Sequence, residues 1–219
     1  MFADENEFSP FEQIVSELGG SVFERFGRRF AQFKKDGETV IAVRSGVGKA
    51  NAASGAAYLI AMGAERILNG GLSGAASAVR RGEIVAGESY VECDFDLTPT
   101  GRQPGQKVEG YTELYADRQL LQSALKIEGV KSGRLGSGDM FLTDKDKKEL
   151  YIKLFGINAF DMESGAIACV CHSAGVPFLS IRKISDNADD TAVEDYRELD
   201  SLKETDIATL LMEIAGFAV

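Results

Sequence analysis

The chain has 219 residues, 44% of them hydrophobic and 26% charged, with a formal net charge of −10. The length predicts one globular domain that buries its own core. The excess of acidic residues disfavours nucleic acid and anionic membranes as partners. Three cysteines, an acidic start (MFADENEF) and the absence of a long apolar stretch predict a cytoplasmic protein with reduced thiols and no membrane span.

Helix and strand signals alternate along the first half of the chain. Residues 10–18 indicate a short helix, and residues 21–44 indicate strands joined at the turn Asp36-Gly37. The segments that follow are a small-residue helix at 50–64, a buried strand at 66–71 that meets a glycine loop, and a strand at 82–96.

The second half begins with the longest irregular stretch, at residues 97–113. The later segments are a helix at 116–127, a strand and loop at 131–138, a helix at 143–155, a strand at 157–161, a helix at 163–175, a strand at 176–186 and an amphipathic helix from about Asp195 to Ala218. Such alternation predicts a largely parallel or mixed sheet covered by helices. Ligands of such folds gather at the carboxyl ends of strands, here the loops at 45–49, 70–75, 137–142, 161–163 and 185–187.

The glycine-rich segment from Ser45 to Lys49 does not have the spacing of a nucleotide-binding loop. A P-loop needs glycine where Val43 stands and Ser or Thr where Ala50 stands, and a dinucleotide fingerprint needs glycine at Asn51. A tight turn from strand to helix explains the glycines equally well. The free N–H groups at the start of a helix keep the segment a candidate pocket wall.

The segment Cys169-Val170-Cys171-His172 does not indicate a metal site or a catalytic histidine. Helical residues two apart point in different directions, and the rest of the chain offers no second Cys/His pair. We therefore expect core thiols. His172 is the one histidine, and without a nucleophile motif it is better explained as a helix-end residue than as a general base.

Acidic residues follow two apolar strands, in Phe160-Asp161-Met162-Glu163 and in Ile184-Ser185-Asp186-Asn187. Each acid alone has a simple structural explanation, because Glu163 can open a helix and Asp186 can cap a turn. Two acids at adjacent strand ends, with a third in the acidic N-terminal segment, indicate a pocket of carboxylates. Such a pocket suits chemistry that develops positive charge or transfers protons.

Seven segments in order across the chain resemble the 5′-methylthioadenosine/S-adenosylhomocysteine nucleosidases, hydrolases of the purine nucleoside phosphorylase superfamily. They are residues 3–8, 45–49, 69–74, 82–85, 137–142, 161–172 and 176–189, of which the last two are the most specific. The resemblance implies a three-layer α/β/α sandwich with a central mixed sheet and a reaction without metal or other cofactor. It also implies a homodimer in which segment 97–106 completes the neighbouring pocket.

The resemblance assigns a role to each acid. Asp186 would protonate the purine at N7, Glu7 would orient or deprotonate the attacking water, and Glu163 would accept the ribose hydroxyls. The other implied substrate-binding residues are Val47 at the 5′-substituent, Gly74 at the ribose, Phe141 stacked on the purine, Leu142 reading its edge, Met162 against the sugar, and Ser185.

The chain departs from the family pattern at three places. Only Met1-Phe2-Ala3 precedes the acidic segment where family members carry a complete strand, and Leu72-Ser73 stands where many have Ser or Val followed by Ala. Glu5 and Glu7 both qualify as the water-activating acid, with Phe8 favouring Glu7. In an extended loop we expect both to point the same way.

Phosphorolysis is the first alternative to hydrolysis. Phosphorylase relatives carry an arginine in the N-terminal loop and another in the central glycine loop, and residues 3–7 and 69–74 contain none. Water is therefore the favoured nucleophile. A catalytically silent nucleoside-binding protein is the second alternative, and the retention of all three acids disfavours it. Methylthioadenosine, S-adenosylhomocysteine, 5′-deoxyadenosine and a futalosine-like nucleoside all stay open as substrates.

Overall fold

A computed structural model describes residues 1–200 and 206–217 of the chain. Its helices are α1 (Glu5–Glu17), α2 (Lys49–Ala61), α3 (Arg118–Ala124), α4 (Lys145–Phe155), α5 (Ser164–Ala174), α6 (Ala192–Asp200) and α7 (Asp206–Ile214). Its strands are β1 (Ser21–Arg25), β2 (Arg28–Lys35), β3 (Glu38–Val43), β4 (Ile67–Ala75), β5 (Ile84–Glu92), β6 (Leu114–Tyr115), β7 (Val130–Ser137), β8 (Ala159–Asp161) and β9 (Phe178–Asp186). No helix in these ranges is both long and apolar enough to cross a membrane.

A mixed six-stranded sheet lies at the centre, in the order β6-β5-β7-β8-β4-β9. Strands β4 and β9, β5 and β7, and β7 and β8 pair in parallel, and the other pairs are antiparallel. Strand β5 also pairs with β9, so five strands form a closed ring. The predicted mixed sheet is confirmed. Its closure was not predicted, because pairing between strands far apart in sequence leaves no local signal.

Helices cover the sheet in two groups. Helices α1, α3 and α7 pack together over an apolar cluster that includes Phe8, Leu179 and Leu211. Helices α2 and α5 pack over a second cluster that includes Ile167 and Ile184. Every residue of β9 is buried, as expected for a strand covered on both faces. The predicted α/β/α architecture is confirmed.

Residues 1–3 lie between β3 and β4. Phe2 donates from its backbone N–H to Val43 O at 3.1 Å, and Gly70 N donates to Met1 O at 3.0 Å. This short segment thus hydrogen-bonds to both neighbours. It sets the position at which α1 begins.

The acidic N-terminal segment is helical, so two expectations about it are wrong. Helix α1 begins at Glu5 and not at residue 10, because the Asp4 carboxylate caps it by accepting the Glu7 N–H at 3.0 Å. Pro10 lies inside this helix. Helical residues two apart differ by about 200° in direction, so Glu5 and Glu7 do not point the same way.

Several other boundaries differ from the predicted ones. Strand β4 continues through Ala75, so the expected glycine loop at 70–75 is strand, held by pairing with β9 as far as Gly74 and Asp186. Helix α3 begins later than predicted, since Asp117 caps it. The predicted helix from Asp195 to Ala218 corresponds to α6 and α7, and residues 201–205 and 218–219 lie outside the described residues.

Candidate active site

Two of the three predicted acids lie against β4. Glu7 Oε1 accepts the Leu72 N–H at 2.9 Å, and Glu7 Oε2 accepts the Ala3 N–H at 2.8 Å. Asp186, the last residue of β9, lies against β4 two residues beyond Leu72. A Cβ added to Gly74 would be 2.8 Å from Asp186 Oδ1. Strand β4 therefore contacts both the expected water-activating acid, at Leu72, and the expected general acid, at Gly74.

The third acid, Glu163, reaches a different loop. Its Oε1 accepts the Gly48 N–H at 3.1 Å, and its side chain makes no capping bond to α5. The simple explanation that Glu163 only opens a helix therefore fails. Asp186 differs, because its Oδ1 accepts the Ala188 N–H at 2.8 Å and so does cap a turn. Its other oxygen accepts the Ser185 hydroxyl at 2.6 Å.

Arg182 lies beside two of the three acids, Glu163 and Glu7, and was not predicted. It is 1% exposed, and its Nη1 and Nη2 lie 3.3 and 3.4 Å from Glu163 Oε2. A Cβ added to Gly71 would lie 2.6 Å from both Arg182 Nη1 and Glu7 Oε1, so the guanidinium lies near both carboxylates. The sequence contained one indication of this role, because Arg182 lies inside the apolar strand VPFLSIRKISD. A charged side chain that is buried in such a strand requires charged or polar partners.

Asp161 orients the turn that carries Glu163. Its Oδ1 accepts hydrogen bonds from the Ser137 hydroxyl at 2.7 Å and from the N–H groups of Glu163 and Ser164, both at 2.9 Å. Its Oδ2 lies 3.2 Å from Arg182 Nε. Asp161 therefore sets the backbone at Glu163 and neutralises part of the buried guanidinium charge.

Burial raises the pKa of all three predicted acids. The pKa of Glu7 is raised to about 8 by desolvation and by Asp4, against the opposing effect of Arg182. Desolvation also raises the pKa of Glu163, again opposed by Arg182. For Asp186 desolvation raises the pKa, and the bond from Ser185 opposes it. Raised values favour groups that hold and transfer protons near neutral pH.

The loop from Ser45 to Lys49 is a tight turn that contacts one of the predicted acids. Gly46 and Gly48 have φ values of 88° and 94°, which favour glycine. The free N–H of Gly48 at the start of α2 reaches Glu163, and Val47 beside it is 48% exposed. The tight turn is confirmed, and the pocket wall stays a prediction.

One of the two expected purine-side residues, Phe141, lies against α6. Phe141 is 44% exposed and packs edge-on against Tyr196 of α6, with ring centroids 5.5 Å apart. The Tyr196 hydroxyl also donates to Asp4 Oδ2 at 3.4 Å. Leu142 is buried and Met162 is half-buried. Tyr196 thus links Phe141 to the start of α1, a contact that the sequence did not reveal.

A family model of the phosphorylase superfamily matches residues 1–215. The chain belongs to this superfamily. The chain is 30% identical over 189 residues to the 5′-methylthioadenosine/S-adenosylhomocysteine nucleosidase of Haemophilus influenzae (strain PittEE). This alignment covers 83% of this chain and 82% of the relative. The nucleosidase of Shewanella piezotolerans is 34% identical over 181 residues, with 78% and 79% covered. The resemblance to these nucleosidases is confirmed.

Solved structures of the superfamily give the same result. The Helicobacter pylori nucleosidase with butyl-thio-DADMe-Immucillin-A has a TM-score of 0.93 and 25% identity, covering 98% of this chain and 95% of the other. The Neisseria meningitidis nucleosidase with methylthio-immucillin-A has a TM-score of 0.88 and 27% identity, with 98% and 96% covered. Both relatives bind nucleoside analogues.

Proposed function

We propose that the protein hydrolyses the N-glycosidic bond of a 5′-substituted adenosine, either 5′-methylthioadenosine or S-adenosylhomocysteine, and releases adenine. The observation that carries this proposal is the placement of Glu7 at Leu72 and Glu163 at Gly48 beside one buried arginine, with Asp186 at Gly74 of the same strand as Leu72. Carboxylates in this arrangement stabilise the positive charge that develops on the sugar as the bond breaks.

Asp186 is the general acid in this proposal. Its raised pKa increases the protonated fraction at neutral pH, and proton transfer to purine N7 makes adenine a neutral leaving group. The Ser185 hydroxyl and the Ala188 N–H hold the two oxygens of the carboxyl group in place. A positioned acid of this kind contributes about 10²–10⁴-fold to the rate.

Glu7 orients the attacking water and takes its proton. The N–H groups of Ala3 and Leu72 fix both oxygens of this side chain, so it is held in one orientation. A carboxylate with a raised pKa is also a stronger base once it is ionised. Arg182 lies close enough to balance the charge of Glu7 and Glu163 while the sugar carries positive charge.

Glu163 accepts the ribose hydroxyls, and Met162 packs on the sugar beside Gly74. Phe141 and Leu142 contact the purine. Val47 lies on the side of the 5′-substituent, and its 48% exposure leaves room for substituents of different length. This combination supports an adenosine with a variable 5′-group.

Water is favoured over phosphate as the nucleophile. The Leu72 N–H already binds a carboxylate, which would repel a phosphate anion at that position. Arg182 donates to Leu72 O, Asn69 and Glu163, so its donors are already engaged. Phosphorolysis and silent nucleoside binding are the two alternatives that an experiment must separate.

The experiment is incubation of the pure protein with methylthioadenosine, with and without phosphate. We expect free adenine at a rate that phosphate does not change, together with the free ribose derivative. Mass spectrometry distinguishes this sugar from its 1-phosphate. A 1-phosphate product would establish phosphorolysis, and nucleoside binding without adenine release would establish a silent binding protein.

The proposal includes a cytoplasmic homodimer in which segment 97–106 completes the neighbouring pocket. Two observations support it: Val47 and Phe141 are half-exposed at the pocket wall, and the thiols are unpaired. Large exposed apolar side chains at a site favour cover by another surface. Light scattering of the purified protein tests the dimer, and cell fractionation tests the location. A monomer that turns over substrate at full rate would contradict the shared pocket.

A further inference from the structure

A network of charged side chains lies beside the carboxylate pocket, outside the residues assigned to the reaction. Its members are Lys49 at the start of α2, Glu92 and Asp94 at the end of β5, Lys107 in the irregular segment, and Asp139 after β7. Lys49 Nζ lies 2.6 Å from Asp94 Oδ1 and 3.2 Å from Glu92 Oε1, and Lys107 pairs with Glu92. The side chains of Lys49, Glu92, Asp94 and Lys107 are between 11% and 19% exposed, so their pairing carries a desolvation cost.

Asp94 has one hydrogen-bond partner on each of two loops. Its Oδ1 accepts from Lys49 Nζ on the loop at 45–49, and its Oδ2 accepts the Asp139 N–H at 2.9 Å on the loop at 138–142. Asp139 completes the connection, because its Oδ1 accepts the Lys49 N–H at 2.7 Å. The three hydrogen bonds form a closed ring between the two loops.

The local sequence allows this ring at some cost. Lys49 is the first residue of α2, where the helix dipole disfavours a cation, so Asp94 and Glu92 must offset that repulsion. A Cβ on Gly138 would lie 3.2 Å from Asp94 Cγ, and one on Gly48 would lie 3.0 Å from Asp139 Oδ1. Glycine at both positions lets the loops approach the ring.

The ring is next to groups that contact the nucleoside in the proposed function. Gly48, whose N–H binds Glu163, immediately precedes Lys49, and Phe141 follows Asp139 by two residues. We infer that Asp94 is a positioning residue that holds the purine-side loop and the 5′-substituent-side loop at a set separation. This inference rests on the proposed function, because that function assigns the two loops to the two ends of one substrate.

The test compares Asp94→Asn with wild type on methylthioadenosine and on free adenine. The amide cannot accept from both Lys49 and Asp139, so the loops lose their common anchor. We expect KM for the nucleoside to rise about tenfold with kcat within about twofold, because Glu7 and Asp186 lie on other segments. Free adenine engages one loop only, so its dissociation constant should change less than about twofold. A merely structural role would instead lower the active fraction and weaken both ligands equally.

Glu83→Gln is the matched control. Its carboxylate also holds one lysine ammonium and one backbone N–H, from Lys131 at 2.7 Å and Arg80 at 3.1 Å, at the other end of β5. The control should leave KM unchanged. An unchanged KM in Asp94→Asn, an equal loss of adenine binding, or the same KM change in the control would overturn the inference.

Lys49→Gln breaks the same ring from the other side and is measured if Asp94→Asn does not fold. It should raise KM in the same selective way, and a wild-type KM in this variant would also overturn the inference. If the wild type does not cleave methylthioadenosine, the proposed function fails. The ratio of nucleoside to adenine dissociation constants, measured by calorimetry, then still decides the role of Asp94.

Discussion

The carboxylate of Glu7 accepts the Leu72 N–H at 2.9 Å and so joins the first turn of α1 to the middle of β4. Glu5, two residues earlier, pairs with Arg44 and has a side chain that is 53% exposed. The helix therefore separates two neighbouring acids that the sequence alone could not distinguish. One faces the candidate pocket, and the other faces the surface.

This separation predicts different results for two matching substitutions. Glu7→Gln should lower kcat by about 100-fold or more, since the neutral amide cannot take a proton from water. Glu5→Gln removes the same charge from the same turn and should stay close to the wild-type rate. Adenine release from methylthioadenosine measures both. Equal rates in the two variants would show that Glu7 is not the water-activating residue.

Asp186→Asn should nearly abolish turnover while leaving the fold and nucleoside binding largely intact. The amide keeps the shape of the side chain but has no transferable proton. Asp189→Asn is the control, because Asp189 caps the next turn at the surface and accepts from Thr191. Steady-state kinetics and calorimetry measure rate and binding. A kcat above about a tenth of wild type in Asp186→Asn contradicts the general-acid role.

Glu163→Gln should weaken binding and rate together. A charge-assisted acceptor of two ribose hydroxyls becomes a weaker neutral one, and the buried Arg182 loses a charged partner. A 2′-deoxy or 3′-deoxy substrate should then lose less activity in the variant than in wild type. This comparison of kcat/KM separates sugar contact from a general loss of structure. Equal losses in both proteins would place Glu163 away from the ribose.

The raised pKa of Glu7 predicts a pH dependence of stability. Its value of about 8 lies above the ordinary 4.5. Between these pH values the folded chain keeps a proton that the unfolded chain has released, so this group's contribution to stability falls as pH rises. Glu7→Gln removes this titration. The Tm of the variant relative to wild type should therefore increase from about pH 5 to pH 8. A constant difference would mean that Glu7 titrates normally.

Much of the local structure follows from the sequence, but capping changed several boundaries. Alternating apolar runs and glycines predicted the buried strands and the helices between them. Helices α1 and α3 begin directly after Asp4 and Asp117 and not at the predicted residues. The reason is that a carboxylate that accepts a free N–H stabilises the first helical turn. Pro10 suggested a helix start, yet it lies within α1.

The sequence by itself determined the family and the α/β class, because these depend on residue type and order, and it predicted the three acids as site residues. Only the tertiary structure placed Glu7 against β4 and Glu5 at the surface, brought Arg182 to the carboxylates of Glu7 and Glu163, and joined two loops through Asp94. These contacts connect residues that are far apart along the chain. Their geometry depends on how β4 meets β8 and β9 and how β5 meets β7, and this pairing leaves no periodic signal in any one segment.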